Sequence, residues 1–289
     1  MIKERRLKIG HTAITWPDKE VENAIKTISM LGFQGIEVFG WILDVLKQEN
    51  RLDLFDKYDL PLVSSYFSLD IINPLKKEEE LKKLYSWATI LKGKGGKYVT
   101  LGGNIINRRG YNYYEHKDYI VNFVNEIGKI LHDMGLILGF HPHTSTPIET
   151  REEIESLMNS VNTQYVGLAP DVGQIQKGGS NPLDIIKEYL PLIKLIHLKD
   201  FCGKVEYDEE GKEIDTTGFW SYCPLGEGVV DIVTILDILE NSTFNGYVMA
   251  ELDRGENMPI SAEKAVELNA RYLKQLNYKF VKRNFDNNL

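Results

Sequence analysis

The 289-residue chain is poor in cysteine, positive charge and long apolar runs, and each shortage removes a class of protein. Cys202 and Cys223 are its only cysteines, too few for a disulfide framework and too far apart for a CxxC zinc site. They read as free thiols of a reducing cytoplasm. Lys and Arg total 34 against 42 Asp and Glu, a formal net charge of −8. Nucleic acid, whose phosphates call for a basic patch, is therefore not an expected partner. Nothing favours a membrane surface, and the acidity most simply means solubility. No apolar run approaches the roughly 18 residues that mark a transmembrane helix. The opening MIKERRLKIG is basic but lacks the apolar stretch of a secretory signal, so a cytoplasmic location is expected. The first strand-like run also lacks a GxGxxG turn: it ends GHTAITWPDKE. That weighs against an open dinucleotide-binding sheet.

What the chain does have is alternation. Eight short apolar runs recur: Leu7–Ile14, Gly35–Gly40, Leu60–Phe67, Lys97–Gly103, Leu136–His143, Tyr165–Asp171, Ile193–Asp200 and Tyr247–Asp253. They are β-branched or aromatic-rich and nearly continuous in apolar character, as buried parallel strands are. Helical patterns lie between them. One begins at Asp18, a cap candidate, places Val21, Ala24, Ile25, Ile28 and Leu31 on one face, and stops at Gly32. Others start near Glu78, His116 and Ser261. Strand–helix alternation of this kind predicts right-handed βαβ units, and eight of them predict a single α/β domain over 1–289, a closed (β/α)8 TIM barrel.

In such a barrel chemistry sits at the C-terminal ends of the strands. The fifth run ends in His141 and His143, the sixth in Asp171, the seventh in His197, Lys199 and Asp200, and the eighth in Glu251, Asp253 and Arg254; the second carries Glu37. Residues i and i+2 of a strand share a face, so the two histidines of FHPH point the same way. One residue from each of four consecutive strands gives His141, Asp171, His197 and Glu251. Two imidazoles and two carboxylates suit Mn²⁺, Co²⁺, Zn²⁺ or Fe²⁺, and without thiolates they do not read as structural zinc. Each residue also has a plainer reading. Asp171 caps the next helix, His197 bonds a backbone carbonyl in the core, His143 packs under a loop, and Glu251 pairs with Arg254 or Lys199.

The motifs LGFQGIEVFG, GFHPHTST, LAPDVGQ, IKLIHLKD, PLGEGVVD and AELDR, in this order and spacing, resemble the xylose-isomerase-like TIM-barrel superfamily over nearly the whole chain. That superfamily contains sugar isomerases, ketose epimerases and inosose dehydratases. The resemblance implies a divalent metal, Mn²⁺ or Co²⁺ foremost with Mg²⁺ also accommodated. It places Asp171, His197 and Glu251 among the ligands. At the first ligand position the family's epimerases carry a Glu that acts as one of two opposed bases; here it is His141. The His-x-His ending is similar to the inosose dehydratase branch. It implies a hydro-lyase of a cyclic polyol ketone such as 2-keto-myo-inositol, acting through a metal-stabilised enolate and loss of a β-hydroxyl. Its place would be in inositol catabolism.

Within that reading His143, Lys199 and Glu251 are the acid/base candidates. Glu227, Arg254, Gln174 and Trp16 are candidates for contacting substrate. Phe39, Trp41 and Tyr66 would form an apolar wall, and Trp220 and Tyr222 would belong to a lid. A sugar isomerase or epimerase is the alternative enzyme, and a binding barrel without turnover is the alternative class. The partner expected is a small polyol or sugar, with homo-oligomerisation left open.

Overall fold

The computed structural model describes residues 5–283. Eight parallel strands build it: β1 (Lys8–Thr12), β2 (Ile36–Phe39), β3 (Leu62–Leu69), β4 (Tyr98–Gly103), β5 (Ile137–Phe140), β6 (Val166–Leu168), β7 (Ile196–Leu198) and β8 (Tyr247–Ala250). Each coincides with one of the eight apolar runs. The hydrogen-bonded order is β6-β5-β4-β3-β2-β1-β8-β7. The last join, β6 to β7, consists of two isolated parallel bridges, Leu168 with Ile193 and Asp171 with His197. Two backbone bonds accompany them, Lys194 N–H to Leu168 O at 2.8 Å and His197 N–H to Pro170 O at 3.0 Å. The sheet thus closes into the expected TIM barrel, with one seam made of isolated bridges rather than consecutive pairs.

The helices form where their spacing predicts, with two adjustments. The first begins at Val21, behind a 3₁₀ turn over Asp18–Glu20, and buries Val21, Ala24, Ile25 and Ile28. Asp18 does not cap it; its Oδ2 accepts the indole N–H of Trp41 at 2.8 Å instead. The helix expected from His116 starts earlier, at Tyr113, because the Asn112 side chain caps it by accepting from Tyr114 N–H. Ser261 caps the final helix, Ala262–Gln275, as its sequence suggests. No helix among the described residues is long and apolar enough to cross a membrane.

Side-chain alternation then sets where polar groups emerge. Val63, Ala169, Leu195 and Met249 form a small apolar cluster apart from the main core. Asp171, His197 and Glu251 stand two residues beyond Ala169, Leu195 and Met249, so each continues the same face. The strands carry an apolar layer first and an ionisable layer above it.

His11, on β1, is a fully buried histidine that the sequence does not mark. Its Nδ1 lies 2.7 Å from Thr12 O, and Asn269 Nδ2 lies 3.2 Å from its Nε2. Since a carbonyl only accepts, Nδ1 carries the proton and Nε2 accepts from the amide. Burial pushes its pKa down to about 4, against weaker upward pulls from the Thr12 carbonyl and Glu251. An imidazole of the unfolded chain titrates near 6.5. The stability this group contributes is therefore present above pH 6.5 and is lost as pH falls through about 4, by about 3 kcal/mol in all. His11→Gln should show a shallower loss of urea-unfolding free energy between pH 6.5 and 4 than the parent chain. Equal slopes would disprove the assignment.

Candidate active site

The C-terminal mouth of the barrel holds a cavity of about 210 Å³. Phe39, Trp41 and Tyr66 form part of its wall; Phe39 and Trp41 stack at 4.1 Å. Glu37, His141, His143, His197 and Glu251 line it as well, with the hydroxyl residues Thr12, Ser68 and Thr146. An aromatic plate beside a polar group of this kind matches a ring with apolar faces and hydroxyl edges.

His197 sits between two carboxylates. Its Nε2 is 2.8 Å from Glu37 Oε1, and its Nδ1 is 2.7 Å from Glu251 Oε2. Glu37 is held in turn by Thr100, whose hydroxyl donates to Oε2 at 2.8 Å. Burial disfavours the imidazolium, but Glu251 and Glu37 outweigh it and hold the His197 pKa well above its usual value. Burial would also raise Glu251, yet the Lys199 and His197 charges keep it well below the carboxylate range.

His141 is set by backbone chemistry. Its Nδ1 lies 3.0 Å from the Ala169 carbonyl, so Nδ1 carries the proton and Nε2 the lone pair. Burial, with His197 and His143 nearby, keeps the ring well below its usual pKa and hence neutral. His143 is fixed alike, Nδ1 to Thr144 O at 2.6 Å. A tight turn follows it: Ser145 has a φ of 60°, and both the N–H and the hydroxyl of Thr146 return to His143 O. His143 keeps some exposure to the cavity. Crowding around the ring and the charge of Lys199 still push its pKa down to about 3. At neutral pH it is an acceptor at Nε2, not the near-neutral titrating group expected from its type.

Asp171 does two things at once. Its Oδ1 accepts from Gly173 N–H and Gln174 N–H at 2.9 and 3.0 Å, capping the short helix Val172–Lys177. Its Oδ2 faces Lys199 Nζ at 3.1 Å. The cap reading and the site reading therefore describe two oxygens of one carboxylate. Lys199 is fully buried, also lies 2.8 Å from both Glu251 and Asp253, and stands behind the cavity wall rather than in it.

His141, Asp171 and His197 offer ligand atoms within 4.8 Å of one another. Asp171 Oδ2, Glu251 Oε2 and both His197 nitrogens are buried without a well-directed hydrogen bond, although charged partners stand 2.7–3.1 Å away. Among the described residues, the four buried carboxylates Glu37, Asp171, Glu251 and Asp253 face only Lys199 and His197 as cations. Close, unaligned donors with an excess of negative charge fit a divalent cation. His141, Asp171 and His197 would hold it, with Glu251 beside them. Giving one His197 nitrogen to such an ion leaves the other donating to a carboxylate, the usual support of a metal-bound imidazole.

The remaining candidates fall outside the cavity wall. Gln174 is buried and accepts from the Thr144 hydroxyl at 2.6 Å. Trp16 is buried with its indole N–H toward Glu263 at 3.4 Å. Glu227 and Arg254 are exposed. The Gly226–Gly228 loop is built around Asp200, whose carboxylate accepts from Gly226, Gly228 and Val230 N–H groups at 2.9–3.1 Å. Gly226 there has a φ of 86°, a conformation suited to glycine. Nor is the segment bearing Trp220 and Tyr222 a free lid. Tyr222–Cys223 pairs with Asp200–Phe201, and the Tyr222 ring is buried over Lys199 Nζ at 4.7 Å. Glu37, Thr12 and Asp253 are the site groups to which sequence reading gave no role.

A family model described as xylose isomerase-like TIM barrel matches residues 25–276. The chain belongs to that family. It is 25% identical over 299 residues to an inosose dehydratase of Clostridium botulinum (strain Alaska E43 / Type E3), covering 95% of this chain and 99% of that protein. Among solved structures it is similar to the probable 3-DHS dehydratase AsbF from Bacillus anthracis, at a TM-score of 0.73 and 17% identity, covering 93% of this chain and 99% of the other. The IOLI protein, solved with a zinc atom, superposes with a TM-score of 0.73 at 20% identity, over 96% of this chain and 100% of the other.

Because Glu37 Oε1 stands 2.8 Å from His197 Nε2, Glu37→Gln should weaken Mn²⁺ or Zn²⁺ affinity by about 10–100-fold with an unchanged far-UV CD spectrum. Isothermal titration calorimetry measures it, and an unaltered affinity would remove Glu37 from the site.

Proposed function

We propose that the chain is a metal-dependent dehydratase of a cyclic polyol ketone of the inosose type. The end-to-end similarity to an inosose dehydratase supports the substrate class. The observation that carries the reaction type is at position 141. A two-base epimerase of this family needs a carboxylate there, and this chain presents a neutral imidazole locked to the Ala169 carbonyl.

A bound divalent ion would supply Lewis-acid polarisation of the ketone. The chain's own groups do the rest. The Phe39–Trp41 plate carries the ring face, and Thr12 Oγ1, buried and without a hydrogen-bond partner among the described residues, is placed to meet a substrate hydroxyl. His143 Nε2, a lone-pair nitrogen at the cavity wall, takes the proton from the carbon next to the ketone; a base this weak depends on the polarised ketone to acidify that C–H, and the Glu251 charge favours the imidazolium that forms. The same proton then passes from Nε2 to the departing β-hydroxyl. The C–H and C–O bonds break, a C=C bond forms, water leaves, and His143 returns to its neutral form. Glu251, kept ionised by His197 and Lys199, steadies positive charge at the site. Lys199 acts from behind the wall as its counter-charge.

The epimerase reading has one observation in its favour, since Glu37 gives the cavity a second carboxylate. Both oxygens of Glu37 are already engaged, by His197 and Thr100.

Metal-loaded protein incubated with 2-keto-myo-inositol should generate an ultraviolet-absorbing dehydrated product. His143→Asn should lower kcat by about 10²–10⁴. Inversion of a carbinol centre by NMR, with no new chromophore, would establish the epimerase instead.

A further inference from the structure

The most unusual group in the barrel is the ammonium of Lys199. It is fully buried and close to three carboxylate oxygens: Asp171 Oδ2 at 3.1 Å, Glu251 Oε1 at 2.8 Å and Asp253 Oδ1 at 2.8 Å. The Tyr222 ring covers a further side. Room for its stem is built into the fold. A Cβ on Gly173 would lie 2.9 Å from both Cβ and Cγ of Lys199, so the lysine can reach inward only past a glycine.

This bay adjoins the His141–Asp171–His197 set and shares atoms with it. Capping leaves Oδ2 as the uncommitted oxygen of Asp171, and that oxygen faces Lys199. Glu251 spans both places, with Oε2 on His197 and Oε1 on Lys199. Two neighbouring cation positions bridged by shared carboxylates are the layout of a two-metal centre. Here one of the two positions is filled by a side chain.

We propose that Lys199 is a built-in cation that occupies the second position of an otherwise two-metal site and so restricts this chain to a single divalent ion. The inference rests on the reading that His141, Asp171 and His197 bind a metal. A tethered ammonium neutralises Asp171, Glu251 and Asp253 without dissociating. It also lacks the open coordination with which a second ion would bind water or substrate. The site is thereby reserved for polarising one oxygen rather than for the paired attack and departure that two ions support.

The experiment is metal stoichiometry. Full-length wild type, Lys199→Met and Lys199→Arg are purified with Mn²⁺, desalted and assayed by mass spectrometry for Mn per chain. One ion per wild-type chain, one per Lys199→Arg chain and two per Lys199→Met chain are expected, the last with an exchange-coupled Mn²⁺ electron paramagnetic resonance signal. Lys199→Met leaves three buried carboxylates without their cation, so its folding should depend on Mn²⁺, which is read by circular dichroism with and without the ion. A folded Lys199→Met chain holding one ion overturns the proposal. So does a variant that stays unfolded in excess Mn²⁺, or a wild type that holds two ions. A wild type that holds none refutes the metal reading itself, a separate failure.

Discussion

An ammonium group sealed from water sits in the upper half of this barrel, and the surrounding charges are arranged about it. Lys199 reaches Asp171 after β6 and Glu251 and Asp253 after β8, so one side chain ties together the ends of three strands. Removing one partner of a buried pair typically costs about 3–5 kcal/mol, because it leaves the other charge uncompensated. The cluster tolerates burial only as a whole. That explains why so many ionisable residues are packed where the strands might have continued as apolar core.

The second support is His197, which couples the cluster to the opposite wall. Through Glu37 and Thr100 the imidazole is linked to β2 and β4, and through Glu251 to the end of β8. A shift at any of these strands changes the direction in which the His197 nitrogens point. The aromatic wall joins the same rim, since Trp41 stacks on Phe39 and hydrogen-bonds Asp18, and Tyr66 meets both Phe39 and His141 edge-on. Cavity and charge cluster therefore share Glu37, His197 and Glu251 on one rim.

The barrel was legible because its strands are buried on both faces and read as unbroken apolar runs. Asp171, His197 and Glu251 were legible because they interrupt those runs at the next position on the face of Ala169, Leu195 and Met249. What sequence could not show was partnership across the barrel. Glu37 is a single carboxylate in an apolar strand until closure brings His197 and Thr100 to it. Lys199 looks like a group reaching for substrate until three carboxylates from elsewhere in the chain enclose it. Trp16, Gln174 and Arg254 follow strand ends closely in sequence, yet none of them lines the cavity, and Gln174 stands on the helix that Asp171 caps. Asp200, next to Lys199, turns instead to hold the Gly226–Gly228 loop.

The join of isolated bridges between β6 and β7 has a mechanical consequence. Neighbouring strands elsewhere are joined by runs of paired residues, but here closure depends on two bridges, and one of them is Asp171 with His197. These two residues are also two of the three members of the candidate ligand set. An ion gripped by both would act as a clasp across the hoop, and part of its binding energy would be energy of barrel closure. Occupancy of the site and rigidity of the seam would then rise and fall together.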